Sequence, residues 1–150
     1  MDNPFLESSS PSDFWGRRWN KIVQSLLKKG IYKPVRQSYS KNVASLATFV
    51  GSGLLHEYVW SFYFWRDTYR PQHGKLLLFF LWTGVVMLME HFVGGWRICS
   101  WMKRNFPVPV KSALVVLTAL PMAYLFTGDL IEGGFFYDFQ VGLPLIVKMK

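Results

Sequence analysis

The chain has 150 residues, 51% of them hydrophobic and 18% aromatic, and carries a formal charge of +8. Its charges border long uncharged runs, as across Lys75–Lys111. That excludes an ordinary soluble basic protein and fits a bilayer solvent, where a charge left in hydrocarbon is expensive. Basic residues beside apolar runs of membrane length point to a phospholipid surface or a coenzyme phosphate as the anionic partner, and not to nucleic acid. The single Cys99 excludes an intramolecular disulfide framework and a cysteine-built zinc site.

Met1–Ser10 has neither a basic n-region nor an apolar h-region, so no cleaved secretory signal is expected and membrane entry falls to internal spans. Residues 1–42 read as an amphipathic lead-in. Ser10-Pro11-Ser12-Asp13 is a helix start, with Ser as N-cap and Pro at the first helical position. Gly30, just after Lys28 and Lys29, is the expected stop. Trp15, Trp19, Ile22, Val23, Leu26 and Leu27 fall on one arc of the wheel, and Arg17, Arg18, Lys21 and Lys28 on the other. Such a wheel fits a helix lying in the membrane interface, and it also fits a helix packed on protein.

Three apolar stretches follow, over Val43–Trp65, Leu76–Trp96 and Ser112–Gly128, each a candidate to cross a hydrocarbon layer of roughly 30 Å. The third contains Pro121, which membrane helices tolerate. Residues 130–147 are apolar but broken by Glu132, Gly133-Gly134, Asp138, Gly142 and Pro144, and read as a fourth, irregular or re-entrant span. Lys and Arg divide twelve against five between the two sides of such an array. The positive-inside rule then puts the N-terminal segment and the Arg97–Lys111 loop in the cytosol. The expected fold class is an all-α membrane protein, with an N-terminal interfacial helix followed by three to four transmembrane helices.

His56 is the most informative residue, because a titratable ring inside a span faces the bundle interior or a water-filled cavity. Thr48, Ser52 and His56 are spaced four apart and stack into one polar stripe. Gly51, Gly53, Ala44 and Ala47 on nearby faces let other backbones approach. Glu57 points along Gly53 and Ser61 instead. Composition leaves two readings of His56 open: a hydrogen bond across helices that holds a bundle together, or chemistry. Glu90 and His91 read as structural or as marking the cytosolic boundary, and His73 receives no function. None of these presents metal-ligand spacing, so no metal is expected.

The stretch Phe14-Trp15-Gly16-Arg17-Arg18-Trp19-Asn20, followed 36 residues later by His56-Glu57-Tyr58, resembles the membrane-bound O-acyltransferase superfamily. Asn3-Pro4-Phe5-Leu6 before it is similar to the wax synthase domain group, and the later elements also resemble diacylglycerol and sterol acyltransferases. The resemblance covers roughly residues 3–65 and implies direct transfer of a fatty acyl group from acyl-coenzyme A, a co-substrate, to a lipid alcohol inside the endoplasmic reticulum membrane, with no cofactor. His56 then matches the family's catalytic histidine and Asn20 its asparagine partner. Trp19, Arg17, Arg18, Ser52 and Glu57 are expected along the substrate path, the arginines near coenzyme phosphates. The family builds its chamber from more helices, so the chain reads as the C-terminal third to half of such an enzyme. Homo-oligomers or association with other acyltransferase helices are the protein partners to expect. The competing function is a truncated, non-catalytic membrane subunit or regulator.

Overall fold

The computed structural model describes residues 7–64 and 70–134, and every regular element among them is a helix. Helix α1, Pro11–Asp13, begins where the sequence predicts: the Ser10 hydroxyl accepts a hydrogen bond from the Asp13 amide at 3.2 Å, and Pro11 supplies a preset φ where no donor is needed. It runs into a π-helical turn, Phe14–Arg18. The chain then leaves the helix. Trp19 is extended, and Asn20 is left-handed at φ 30, ψ 71.

Helix α2, Lys21–Leu27, continues through a second π-turn, Lys28–Tyr32, into α3, Lys33–Ser38. The expected single helix ending at Gly30 is therefore corrected in two places. It breaks at Trp19–Asn20, and Gly30 lies inside a continuing turn, with Pro34 tolerated in the first turn of α3. Extended Tyr39 ends the run.

Ser40 caps α4, Lys41–Tyr63, by accepting from the Val43 amide at 3.3 Å. Helix α5, Lys75–Val93, starts from left-handed Gly74 at φ 95. Helix α6, Arg97–Asn105, and α7, Val108–Glu132, complete the described chain. The stretch 65–69, which includes the expected end of the first span, and the expected fourth span from residue 135 onward lie outside the described residues, while the start expected for that fourth span, residues 130–132, continues α7.

Helices α4 and α5 pack backbone to backbone. A Cβ added at Gly53 would sit 2.8 Å from the Leu77 Cα, and one at Gly84 would sit 3.1 Å from the Phe49 Cβ. Helix α7 joins α5 through longer groups: the Trp82 indole donates to the Thr118 carbonyl at 2.9 Å, and Lys75 pairs with Asp129 at 3.0 Å. The lead-in is fastened to the far end of α5, where the Glu90 carboxylate accepts from the Ser12 amide and hydroxyl at 2.8 and 2.7 Å.

Among the described residues, two helices are long and apolar enough to cross a membrane: α5, with mean hydropathy 2.0, and α7, with 1.8. Their apolar windows are only 28% and 17% buried. A core helix of a soluble protein hides such a window, whereas Leu78, Phe92, Leu117 and Leu120 lie exposed here. Helix α4 has the length but falls short in apolarity, because it carries Ser, Thr and Gly residues together with His56 and Glu57.

Candidate functional site

A cavity of about 320 Å³ lies between the lead-in and the inner face of α4, with Phe80 and Met87 of α5 on its wall. That volume falls at the small end of ligand pockets, roughly 300–1,000 Å³. Asn20 and His56, 36 residues apart in the chain, both line it. Trp19 and Ser52 are on the same wall, as is Thr48, so the polar stripe of α4 faces the cavity along its length.

Local structure fixes which atoms each polar group has to offer. Asn20 is the one non-glycine residue with positive φ among the described residues, a conformation that Asn tolerates better than bulky side chains do. That bend lets its Oδ1 cap α2, accepting from the Val23 amide at 3.3 Å. With the oxygen committed to the cap, the amide NH₂ is what Asn20 presents as a donor.

His56 is oriented by a backbone carbonyl. Its Nδ1 lies 2.7 Å from the Ser52 carbonyl oxygen. A carbonyl only accepts, so Nδ1 carries a hydrogen, and in the neutral ring Nε2 keeps its lone pair. Phe80, Phe126 and Trp60 surround the ring, at centroid distances of 4.4, 5.9 and 6.2 Å. The site thus holds one amide donor and one imidazole acceptor in an aromatic setting.

The remaining residues singled out from the sequence go elsewhere. Arg17 is exposed and Arg18 pairs with Glu7 at 2.7 Å and Asp13 at 3.1 Å; neither lines the cavity. Partial burial alone would push the Asp13 carboxyl up, but hydrogen bonds from the Ser9 amide and from Arg18 hold it below its ordinary value. Glu57 turns away from its neighbour His56. Its Oε1 accepts from the Gly74, Leu76 and Leu77 amides at 2.9, 2.9 and 3.2 Å, so it caps the start of α5 from another helix. His73 stands 3.7 Å from its other oxygen. Among the described residues, no three His, Cys, Asp or Glu side chains converge as for a metal ion.

Gln24, Lys28 and Tyr32 also line the cavity, although the sequence pointed to none of them as site residues. The available signal was their four-residue spacing from Asn20. It was obscured because a single uninterrupted wheel puts Lys28 among the outward cations.

A family model described as the membrane bound O-acyl transferase family matches residues 1–82, a stretch that contains Asn20, His56 and Phe80. The chain belongs to this family. Within the membrane bound O-acyl transferases its relatives are of the wax synthase-like group. A probable long-chain-alcohol O-fatty-acyltransferase 9 of Arabidopsis thaliana is 41% identical over 72% of this chain and 32% of its own length. An acyl-CoA–sterol O-acyltransferase 1 of the same plant is 33% identical over 80% of this chain and 36% of its own. The long-chain-alcohol O-fatty-acyltransferase of Simmondsia chinensis is 36% identical over 63% and 29%. The chain spans about a third of the length of the curated relatives it matches. No solved structure matches it.

Proposed function

We propose that this chain carries the base-bearing part of an O-acyltransferase that moves a fatty acyl group from acyl-coenzyme A to a lipid alcohol, with long-chain alcohols, hence wax esters, as the first acceptors to test. The single observation that carries the reading is the convergence of Asn20 and His56 on one cavity, the first with its Oδ1 in a helix cap and its N–H free to donate, the second with Nδ1 on a carbonyl, which leaves Nε2 as the acceptor of the neutral ring.

An alcohol is a weak nucleophile until a base takes its proton during attack, and neutral imidazole does this well. The alcohol oxygen adds to the thioester carbonyl carbon as its proton passes to Nε2 of His56. The Asn20 amide donates to the carbonyl oxygen as negative charge develops there. The tetrahedral intermediate collapses with cleavage of the C–S bond, and imidazolium returns the proton to the departing thiolate. Ester and free coenzyme A leave, and His56 is neutral again. No serine or cysteine nucleophile is required.

In this reading α4, α5 and α7 cross the endoplasmic reticulum membrane, and the lead-in lies at its cytosolic face. The thioester end of the coenzyme enters past the α2 side of the cavity, where Lys28 is a cation on the wall. Trp19 and Ser52 contact substrate. Arg18 and Glu57 serve the lead-in and α5 instead, as their bonds to Asp13 and to the Gly74–Leu77 turn indicate.

A second reading, a non-catalytic chain that associates with an intact acyltransferase, is favoured by the exposed apolar face of α4 at Leu54, Tyr58 and Phe62. The test is ester formation by the full chain reconstituted in phospholipid vesicles, with labelled acyl-coenzyme A and a panel of long-chain alcohol, diacylglycerol and sterol. Ester is expected, and His56→Ala should lower its rate by about a hundredfold or more. Wild-type ester formation by His56→Ala overturns the proposed base. Activity that appears only on co-expression with a full-length acyltransferase, and survives His56→Ala, establishes the second reading.

A further inference from the structure

Arg97, Ser100, Trp101 and Arg104 stand at positions i, i+3, i+4 and i+7 of α6, so they share one helix face. With Gly95 they line an open groove of about 450 Å³. Both arginines are exposed, and neither has an ion pair or hydrogen bond among the described residues. The sequence holds no Asp or Glu between Glu90 and Asp129. Two guanidinium groups therefore open into one groove without a neighbouring carboxylate to neutralise them.

Position in the fold says what meets this groove. Helix α6 joins α5 to α7, the two helices long and apolar enough to cross a membrane. A connection between the same-side ends of two crossing helices lies at headgroup level. Trp96, Trp101 and Phe92 are 63%, 53% and 69% exposed around it, the aromatic character of a membrane interface. Arginine rather than lysine suits a phosphate, because its planar fork donates two parallel bonds to one oxyanion.

We infer that the α6 groove binds the phosphate of an anionic phospholipid headgroup, with Arg97 and Arg104 as donors and Ser100 as a further hydrogen-bond partner. The groove shares no lining residue with the His56 cavity, which separates it from the place where a thioester would react. The lipid holds α6 against the membrane surface and braces the α5–α7 pair from outside.

The test is native mass spectrometry of the full chain released from nanodiscs of phosphatidylcholine with a minor fraction of phosphatidylserine. Wild type should retain phosphatidylserine over phosphatidylcholine. The double variant Arg97→Gln/Arg104→Gln should lose that preference about tenfold, since each basic side chain near an anionic surface contributes several-fold. Arg70→Gln, a change at an exposed cation near the opposite end of α5, should keep it. Helicity and melting temperature confirm that the variants are folded, and a double variant that fails to fold is replaced by Arg104→Gln alone, expected to lose a smaller share. Equal retention of phosphatidylserine by a folded double variant overturns the inference. So does its loss from wild type on adding free coenzyme A, which would make the groove a coenzyme phosphate site. The readout needs no catalysis, so it stands apart from the acyl-transfer proposal.

Discussion

The seam between α4 and α5 and the seam between α5 and α7 use the same central helix in opposite ways. On the α4 side, glycines bring backbones together, Gly53 against Leu77 and Gly84 against Phe49. Glu57 caps α5 across the gap, and Phe80 covers the His56 ring. On the α7 side, long side chains reach across: the Trp82 indole to a carbonyl, and Lys75 to Asp129. The first seam is intolerant of added atoms and the second of lost polar partners. The candidate site sits on the close seam, where small residues leave the least freedom to a ring that must keep its position.

The largest expected effect belongs to the long-reach seam. In the Lys75–Asp129 pair the side chains are 14% and 2% exposed. Lys75→Met takes the cation from a buried carboxylate and should destabilise the protein by about 3–5 kcal/mol. Adding Asp129→Asn to that variant should recover part of the loss, because the two changes share one interaction. Thermal unfolding in detergent reads both. A double variant no more stable than Lys75→Met alone would remove the pair from the account of this seam.

Next comes Glu57, whose carboxylate oxygen satisfies three amides of the first turn of α5. Glu57→Ala should cost about 2–3 kcal/mol and speed hydrogen exchange at Gly74, Leu76 and Leu77. Glu57→Gln keeps an acceptor and should lose less. Unchanged protection in the alanine variant would show that the cap does not hold α5.

Gly53→Ala should cost about 1–3 kcal/mol, because its Cβ would meet the Leu77 backbone and not a movable side-chain tip. Gly30 is the contrast. It is helical, its φ is not positive, and nothing lies within 4 Å of an added Cβ, so Gly30→Ala should stabilise by about 0.4–1 kcal/mol through the unfolded chain. If both substitutions shift the melting temperature alike, close packing is not what sets this seam.

How far the sequence could go follows from the range of the forces involved. Long apolar stretches and the Ser10 cap depend on neighbours in the chain, so length and spacing reveal the start of the lead-in and the long helices α4, α5 and α7. They miss the Ser40 cap and helix α3, and Arg97–Lys111, which they present as a loop, is helical over α6. The stripe Thr48–Ser52–His56 was legible for the same reason: four-residue spacing survives in any regular helix. The break at Asn20 was not legible, since Trp15 to Leu27 plot smoothly on one wheel and a left-handed asparagine leaves no mark in that plot. The break re-aims α2, so that the face carrying Val23, Gln24, Leu27 and Lys28 meets the cavity while Ile22 and Leu26 of the expected apolar arc lie exposed. Glu57 shows the other limit. Its spacing sets it apart from His56, but the amides it caps lie 17 to 20 residues on, and only tertiary packing brings them within reach.

The smallest effect tests a contact outside both seams. Asp13 accepts hydrogen bonds from the Ser9 amide at 3.1 Å and from Arg18 at 3.1 Å, and these outweigh the desolvation that alone would raise its carboxyl. Its folded value therefore lies below the ordinary one, so the folded state binds the proton less readily than the unfolded state. The resulting stabilisation is complete above the ordinary aspartate value of about 4 and is lost as pH falls through the lower folded value. For a pair at the lead-in surface it should be under about 1 kcal/mol. Asp13→Asn removes this component. The difference in melting temperature between wild type and Asp13→Asn should therefore shrink from about pH 6 to about pH 3. A difference that stays constant over that interval would show that the lead-in is held by its Phe14–Trp15–Trp19 cluster and the Ser12–Glu90 bonds alone.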